Sequence, residues 1–267
     1  MFMEFAATMC YKTTVIATSF DENYIDYAKV MIKTLSSNYQ GDDILDLYCL
    51  VPDYLMKKEY EFISSLNDVK NINILFKSSE KFKDLNVEKS LWLTKNAWHR
   101  IFISSISEKH ERAIYIDPDC MIIRDIRPLL NYPNHSPFIA LVQDDFSNHC
   151  AEAYGNQDIP YINDGVFITD LGFWRNNKVE EQLLNYLKEN GQTKFIEQDV
   201  LNIFMQPYLS PLPVTFNFLV HKEELYGNCP EPMIVHFCGP DKPWLSGWEN
   251  KYHIMWKNVF NTLTYCE

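Results

Sequence analysis

Four apolar, strand-like stretches separated by segments of helical spacing occupy residues 13 to 117, and this alternation restricts the fold more than any other feature of the chain. TTVIATS (13–19) is β-branched and apolar. It leads into FDENYIDYAKVMIKTLSSNY, where Tyr24, Tyr27, Ala28, Met31, Ile32 and Leu35 recur at helical intervals. DILDLYCLV (43–51) is a second strand, after which Pro52 opens a helix running to about Ser65. NINILF (71–76) is a third strand, and LTKNAWHRIFISSI (93–106) reads as an amphipathic helix before the fourth, AIYID. Repeated alternation of this kind predicts an α/β domain with a mainly parallel sheet and helices on both faces, and such sheets bind ligands at the carboxyl ends of their strands.

Beyond residue 130 the texture changes. SPFIALV and DGVFITDL are short strands around a polar stretch, helices are expected at 178–190 and 196–205, and the tail is rich in proline and aromatics. No repeat, low-complexity tract or flexible linker interrupts the 267 residues. The expectation is therefore one domain over 1–267, with a nucleotide-binding half at about 13–130 and a pocket-completing half at about 131–250. A 46% hydrophobic and 15% aromatic content suits a sizeable core.

The net charge of −12 argues against nucleic acid as a partner, because nucleic-acid binders carry basic patches. Seven scattered cysteines without a CxxC pair support neither zinc nor a disulfide framework. MFMEFAATMCYK is a poor signal peptide, with no basic start and Glu4 early, and no run approaches the ~18 apolar residues of a membrane span. The chain reads as cytoplasmic, and a homodimer is compatible with its sequence.

The chemistry concentrates at RAIYIDPDCMIIRD (112–125), which sets Asp117 and Asp119 between two core-forming strands. A DxD taken alone is an ordinary surface turn. Here it ends a predicted core strand, at the edge where such sheets bind ligands. Residues i and i+2 on extended backbone face the same side, so both carboxylates would aim at one point, a donor set for magnesium or manganese. Far away, IVHFCGPDKPW brings His236, a Gly239-Pro240 turn and Lys242 within seven residues. That combination can complete a metal site and hold a diphosphate.

YIDPDC, YINDGVFITDLGFWR, IEQDVLN and HFCGPDKPW, in this order and spacing, resemble retaining glycosyltransferases of family 8, which include glycogenin and bacterial lipooligosaccharide galactosyltransferases. The resemblance runs from about residue 13 to 250. It implies a GT-A fold and a UDP-sugar donor bound through a divalent ion, usually Mn2+ with Mg2+ as the other option. By that resemblance Asp117, Asp119 and His236 are the metal ligands, and Gly239 and Lys242 contact the diphosphate. Thr18 and Asp21 contact base or ribose, and Arg100 reaches the donor sugar and phosphate. Asn163, with Asp164 and Gly165 beside it, faces the donor sugar, while Glu197 and Gln198 lie near the anomeric carbon. The family usually has a small residue after the asparagine; NDG departs from this and puts the sugar's identity in question.

The expected reaction is transfer of glucose or galactose from a UDP-sugar to an acceptor hydroxyl. The acceptor, whether a glycan, lipid-linked sugar or protein, is open; the sixteen tyrosines keep self-glycosylation in view. A sugar-nucleotide pyrophosphorylase is the first alternative, although IATSFDENYIDYAK lacks the glycine-rich basic loop expected after its first strand. A non-catalytic UDP-sugar-binding protein is the second. Asp144 and Asp145 in VQDDF read either as loop acids that meet acceptor or donor or as solvated loop acids, and Trp244 and Trp248 as core or pocket wall.

Overall fold

The computed structural model describes residues 14–66, 68–79, 95–143, 147–154, 158–190, 194–227, 231–240, 242–245 and 249–264. Among them, strands β1 (Thr14–Ser19), β2 (Leu45–Val51), β3 (Ile72–Ser78) and β4 (Arg112–Ile116) run parallel in the order β3-β2-β1-β4. The chain builds outward from β1 to β3 and then returns to the other side of β1. Such a reversal of strand order opens a crevice at the carboxyl ends of the two flanking strands, here β1 and β4.

The apolar runs read from the sequence are continuous because both faces of these strands are covered. On one face Ile16 packs with Met31, Ile32 and Leu35 of helix α1 (Ile25–Asn38). On the other, Val15 and Ala17 meet Trp98, Ile101 and Phe102. The second half extends the sheet through β7 (Tyr161–Asp170), antiparallel to β4, then β6 (Phe138–Gln143) and β8 (Leu209–Pro211). The sheet is thus mixed, parallel at one end and antiparallel where the second half joins.

A smaller sheet decides the site. β5 (Cys120–Ile122) pairs antiparallel with β10 (Ile234–His236), which also pairs with β9 (Phe218–Leu219). In that register His236 lies opposite Cys120, so the pairing carries the imidazole to the residue that follows Asp119.

Two helical expectations differ from the structure. The segment after Pro52 forms two short helices, Asp53–Met56 and Glu59–Ser64, with only Leu55 and Phe62 buried along them. So narrow an apolar face gives a continuous helix little to pack against. The stretch expected to be an amphipathic helix is a 3-10 helix over Lys95–Ser105 with a break at Phe102. It is not amphipathic, since every residue from Trp98 to Ser104 is buried, including His99 and Arg100. The segment is a wedge, with the sheet on one side and helices α2 (Val179–Asn190) and α3 (Ile196–Met205) on the other. Both of these helices match expectation. No helix among the described residues is long and apolar enough to cross a membrane.

Candidate active site

A cavity of about 390 Å³ opens where β1 and β4 end. Its walls include Ser19 to Asp21 at the end of β1, Asp117 to Asp119 after β4, Asn163 and Asp164 on β7, Glu197 and Gln198 on α3, and His236, Cys238 to Pro240 and Lys242 at and beyond the end of β10. Arg100 forms part of its floor.

The Asp117–Asp119 segment is a turn rather than extended backbone: the Cys120 N–H donates to the Asp117 carbonyl at 3.0 Å. Reversal of the chain into β5, which must reach β10 at once, requires it. Both carboxylates still meet on one imidazole, with His236 Nε2 lying 3.3 Å from Asp119 Oδ1 and 3.8 Å from Asp117 Oδ2. The other ring nitrogen, Nδ1, is 3.0 Å from Asn217 Oδ1, which leaves Nε2 directed at the acids. Asn217 is fully buried and donates to Asn163 Oδ1 at 2.8 Å. Two carboxylates and an imidazole nitrogen held in this way fit a hard or borderline divalent cation. Cys120 Sγ, with Asp119 and His236, completes a trio of donor atoms within 4.8 Å of one another. It is a poor ligand because burial, reinforced by both aspartates, pushes its thiol well above the ordinary range.

Each carboxylate has its own cation. Asp119 pairs with Lys242, which also donates to the Phe237 carbonyl at 2.7 Å. Burial works against ionisation of Asp119, yet Lys242 and His236 outweigh it and hold the acid well below the usual carboxylate range. Asp117 Oδ1 accepts from Arg100 Nη2 at 2.8 Å and from the Tyr115 hydroxyl at 2.9 Å. Burial, reinforced by the neighbouring Asp119, nevertheless pushes Asp117 up to about 6 against the pull of Arg100. The guanidinium also reaches Asp164 Oδ1 at 3.0 Å and Glu197 Oε1 at 3.5 Å, and lies over the Tyr115 ring. Burial lifts Glu197 to about 8.

Gln198 is held in place from two sides. Its Nε2 donates to the Tyr161 hydroxyl at 3.1 Å and its Oε1 accepts from Asn163 at 3.4 Å. Behind it, Asp199 receives Tyr161 and stands 2.7 Å from His149 Nε2. Gly239, at φ +83°, and Lys242 form the loop over the acids. Trp244 stacks on Tyr27 at 3.5 Å against the hydrophobic cluster around Trp256 and does not line the cavity, which is core packing rather than pocket wall.

The expected site residues converge with two exceptions. Thr18 is fully buried inside β1 and does not line the cavity; Ser19, Phe20 and Asp21 line it instead. Gly165 is also off the lining, and the backbone there leaves the space that the His236 ring fills. Asp144, Asp145 and Trp248 lie outside the described residues. Tyr24, expected only as a helix-face residue, also lines the cavity, and Tyr115, Phe195 and Asn217 are further site residues outside the expected set. Tyr115, two residues before Asp117 on the same strand, carried a period-two signal. Asn217 carried none, because its partners are 54 and 19 residues away.

The profile of the family described as Glycosyl transferase family 8 matches residues 15–247. The chain belongs to glycosyl transferase family 8. Its relatives include General stress protein A of Bacillus subtilis strain 168, 26% identical over 93% of this chain and 95% of that protein. Lipopolysaccharide 1,2-glucosyltransferase of Escherichia coli K12 is 24% identical over 86% of this chain and 72% of its own length. The crystal structure of the galactosyltransferase LgtC in complex with donor and acceptor sugar analogs superposes with a TM-score of 0.80. That match has 18% identity and covers 94% of this chain and 97% of LgtC. This family 8 glycosyltransferase thus has the GT-A fold.

Proposed function

We propose that the enzyme transfers a glucosyl or galactosyl group from a UDP-sugar to an acceptor hydroxyl with retention at the anomeric carbon. The observation that carries this reading is the convergence of Asp117, Asp119 and His236 beside Lys242 at the strand-order reversal. These three side chains would hold Mn2+ or Mg2+, which supplies Lewis-acid stabilisation to a diphosphate leaving group.

The chain's own groups divide the remaining work. Tyr24 lines the nucleoside end, and Asp21, 6% exposed, presents a carboxylate there, while the Phe20 ring stacks on Phe62 behind them. Burial, with Asp119 nearby, keeps the Tyr24 phenol neutral by pushing it up to about 12. Lys242 keeps its positive charge, since Asp119 outweighs the cost of burial, and so meets the negative charge that grows on the β-phosphate. Arg100, Asn163 and Glu197 surround the transferred sugar, with Gln198 facing the anomeric carbon.

In the transfer, the bond from the anomeric carbon to the phosphate oxygen breaks and a bond to the acceptor oxygen forms on the same face. The acceptor proton passes to the departing phosphate. Glu197 supports this front-face route over a covalent intermediate. Its carboxyl is 2% exposed and raised to about 8 by burial, so at neutral pH it is mainly protonated and a weak nucleophile.

The test incubates the purified protein and Mn2+ with a panel of UDP-sugars and an acceptor mixture, following UDP release by NMR. Consumption of UDP-glucose or UDP-galactose is expected. A folded protein that releases UDP from no donor would remove the transferase assignment in favour of a sugar-nucleotide-binding role.

A further inference from the structure

Asp164 stands where the sequence departs from its family resemblance, and its side chain is in an unusual state. It is 4% exposed yet lines the cavity. Oδ1 faces Arg100 Nη1 at 3.0 Å, while the buried Oδ2 has no hydrogen-bond partner among the described residues. The backbone carbonyl of the same residue also accepts from Nη1 at 3.0 Å, so Oδ1 and the carbonyl are both tied to the guanidinium. Arg100 serves Asp117 at 2.8 Å and Glu197 at 3.5 Å as well, leaving one cation among three carboxylates. Leaving a buried carboxylate oxygen unsatisfied is costly, and a residue that lines a cavity with one such oxygen calls for a donor from a ligand.

The position of Asp164 identifies which part of a ligand it meets. Asp21 and Tyr24 take the nucleoside end, and Asp119 with Lys242 takes the diphosphate. Asp164 lies beyond them, between Asn163, which reaches Gln198, and Gly165, which abuts His236. We propose that Asp164 is a donor-specificity residue whose Oδ2 accepts a hydroxyl of the transferred sugar, selecting a neutral hexose over one bearing a carboxylate. This rests on the UDP-sugar reading above. A uronic acid would bring a further carboxylate to an arginine already divided among three carboxyl groups, whereas a hydroxyl satisfies Oδ2 without adding charge.

The test is calorimetric titration of the wild type, Asp164→Ala and the near-isosteric Asp164→Asn with Mn2+ and UDP, UDP-glucose, UDP-galactose or UDP-glucuronate. UDP itself reports folding and the diphosphate site. Both variants are expected to bind UDP within about twofold of the wild type. They should bind the preferred UDP-hexose about tenfold more weakly, the scale of one hydrogen bond to a charged group. They should also lose part of the discrimination against UDP-glucuronate. Wild-type affinity for the UDP-hexose in both variants would overturn the proposal. An equal loss for UDP and UDP-hexose would also overturn it, by showing that Asp164 acts only through Arg100 and Asp117. A wild type that binds no UDP species would instead overturn the donor reading, and this inference with it.

Discussion

A β-carbon added to Gly165 would stand 2.1 Å from Cε1 and 2.6 Å from Nδ1 of His236, so the imidazole occupies the space that a side chain would need. His236 is 2% exposed and cannot swing into solvent. Gly165→Ala should therefore drive the ring away from Asp117 and Asp119, with overpacking costing about 1–3 kcal/mol of stability. Mn2+-dependent UDP affinity should fall about tenfold or more. Titration calorimetry checks this, and wild-type affinity in the alanine variant would show that His236 takes no part in holding the donor.

Asn217 joins two parts of the site, with one amide oxygen on His236 Nδ1 and the amide nitrogen on Asn163. Groups that orient a ligand histidine tune metal affinity by about 10- to 100-fold. Asn217→Ala should weaken Mn2+ binding on that scale, read by paramagnetic resonance of free Mn2+. Asn217→Asp, which keeps the acceptor for the ring N–H, should recover much of it. Equal losses in both variants would mean that the ring's orientation is fixed by packing instead.

The contact between Asp119 and Lys242 is a buried ion pair, the side chains being 9% and 13% exposed. Removing one partner of such a pair strands the other charge, at a cost of about 3 kcal/mol. Asp119→Asn should thus both abolish turnover and lower stability. Adding Lys242→Met to that variant should restore most of the stability and none of the activity. A double-mutant cycle in urea measures the coupling, and purely additive losses would show that the two residues do not depend on each other.

What could be read beforehand follows from distance along the chain. The β1–β4 alternation is local, so strand burial and the crevice at the carboxyl end of β4 followed from period and composition. The DPD pair and the Gly239–Lys242 loop are short motifs and were visible as motifs. The pairing of β5 with β10, which brings His236 to Asp119 across 117 positions, depends on long-range register, and only family resemblance joined the two beforehand. Helical periodicity misjudged Lys95–Ser105 because every residue from Trp98 to Ser104 is buried, and Arg100 and His99 owe their burial to the site and the sheet. The turn at Asp117–Asp119 differs from the extended expectation because proline fits both conformations.

His99 provides a stability signature independent of the donor. It is 5% exposed within the 3-10 wedge, and burial, with Arg100 adding repulsion, lowers it from 6.5 to about 4. The folded state therefore binds this proton more weakly than the unfolded chain does. The contribution is fully present above pH 6.5 and is lost as pH falls toward 4, because the unfolded state gains protons first. A shift of this size corresponds to on the order of 3 kcal/mol across that window. Urea denaturation at pH 7 and pH 4.5 should show the wild type losing much of that amount. His99→Gln, which has no charge to gain, should lose less, with the difference between the two proteins closing as pH falls. A difference that stays constant from pH 7 to 4.5 would place the acid sensitivity elsewhere in the molecule.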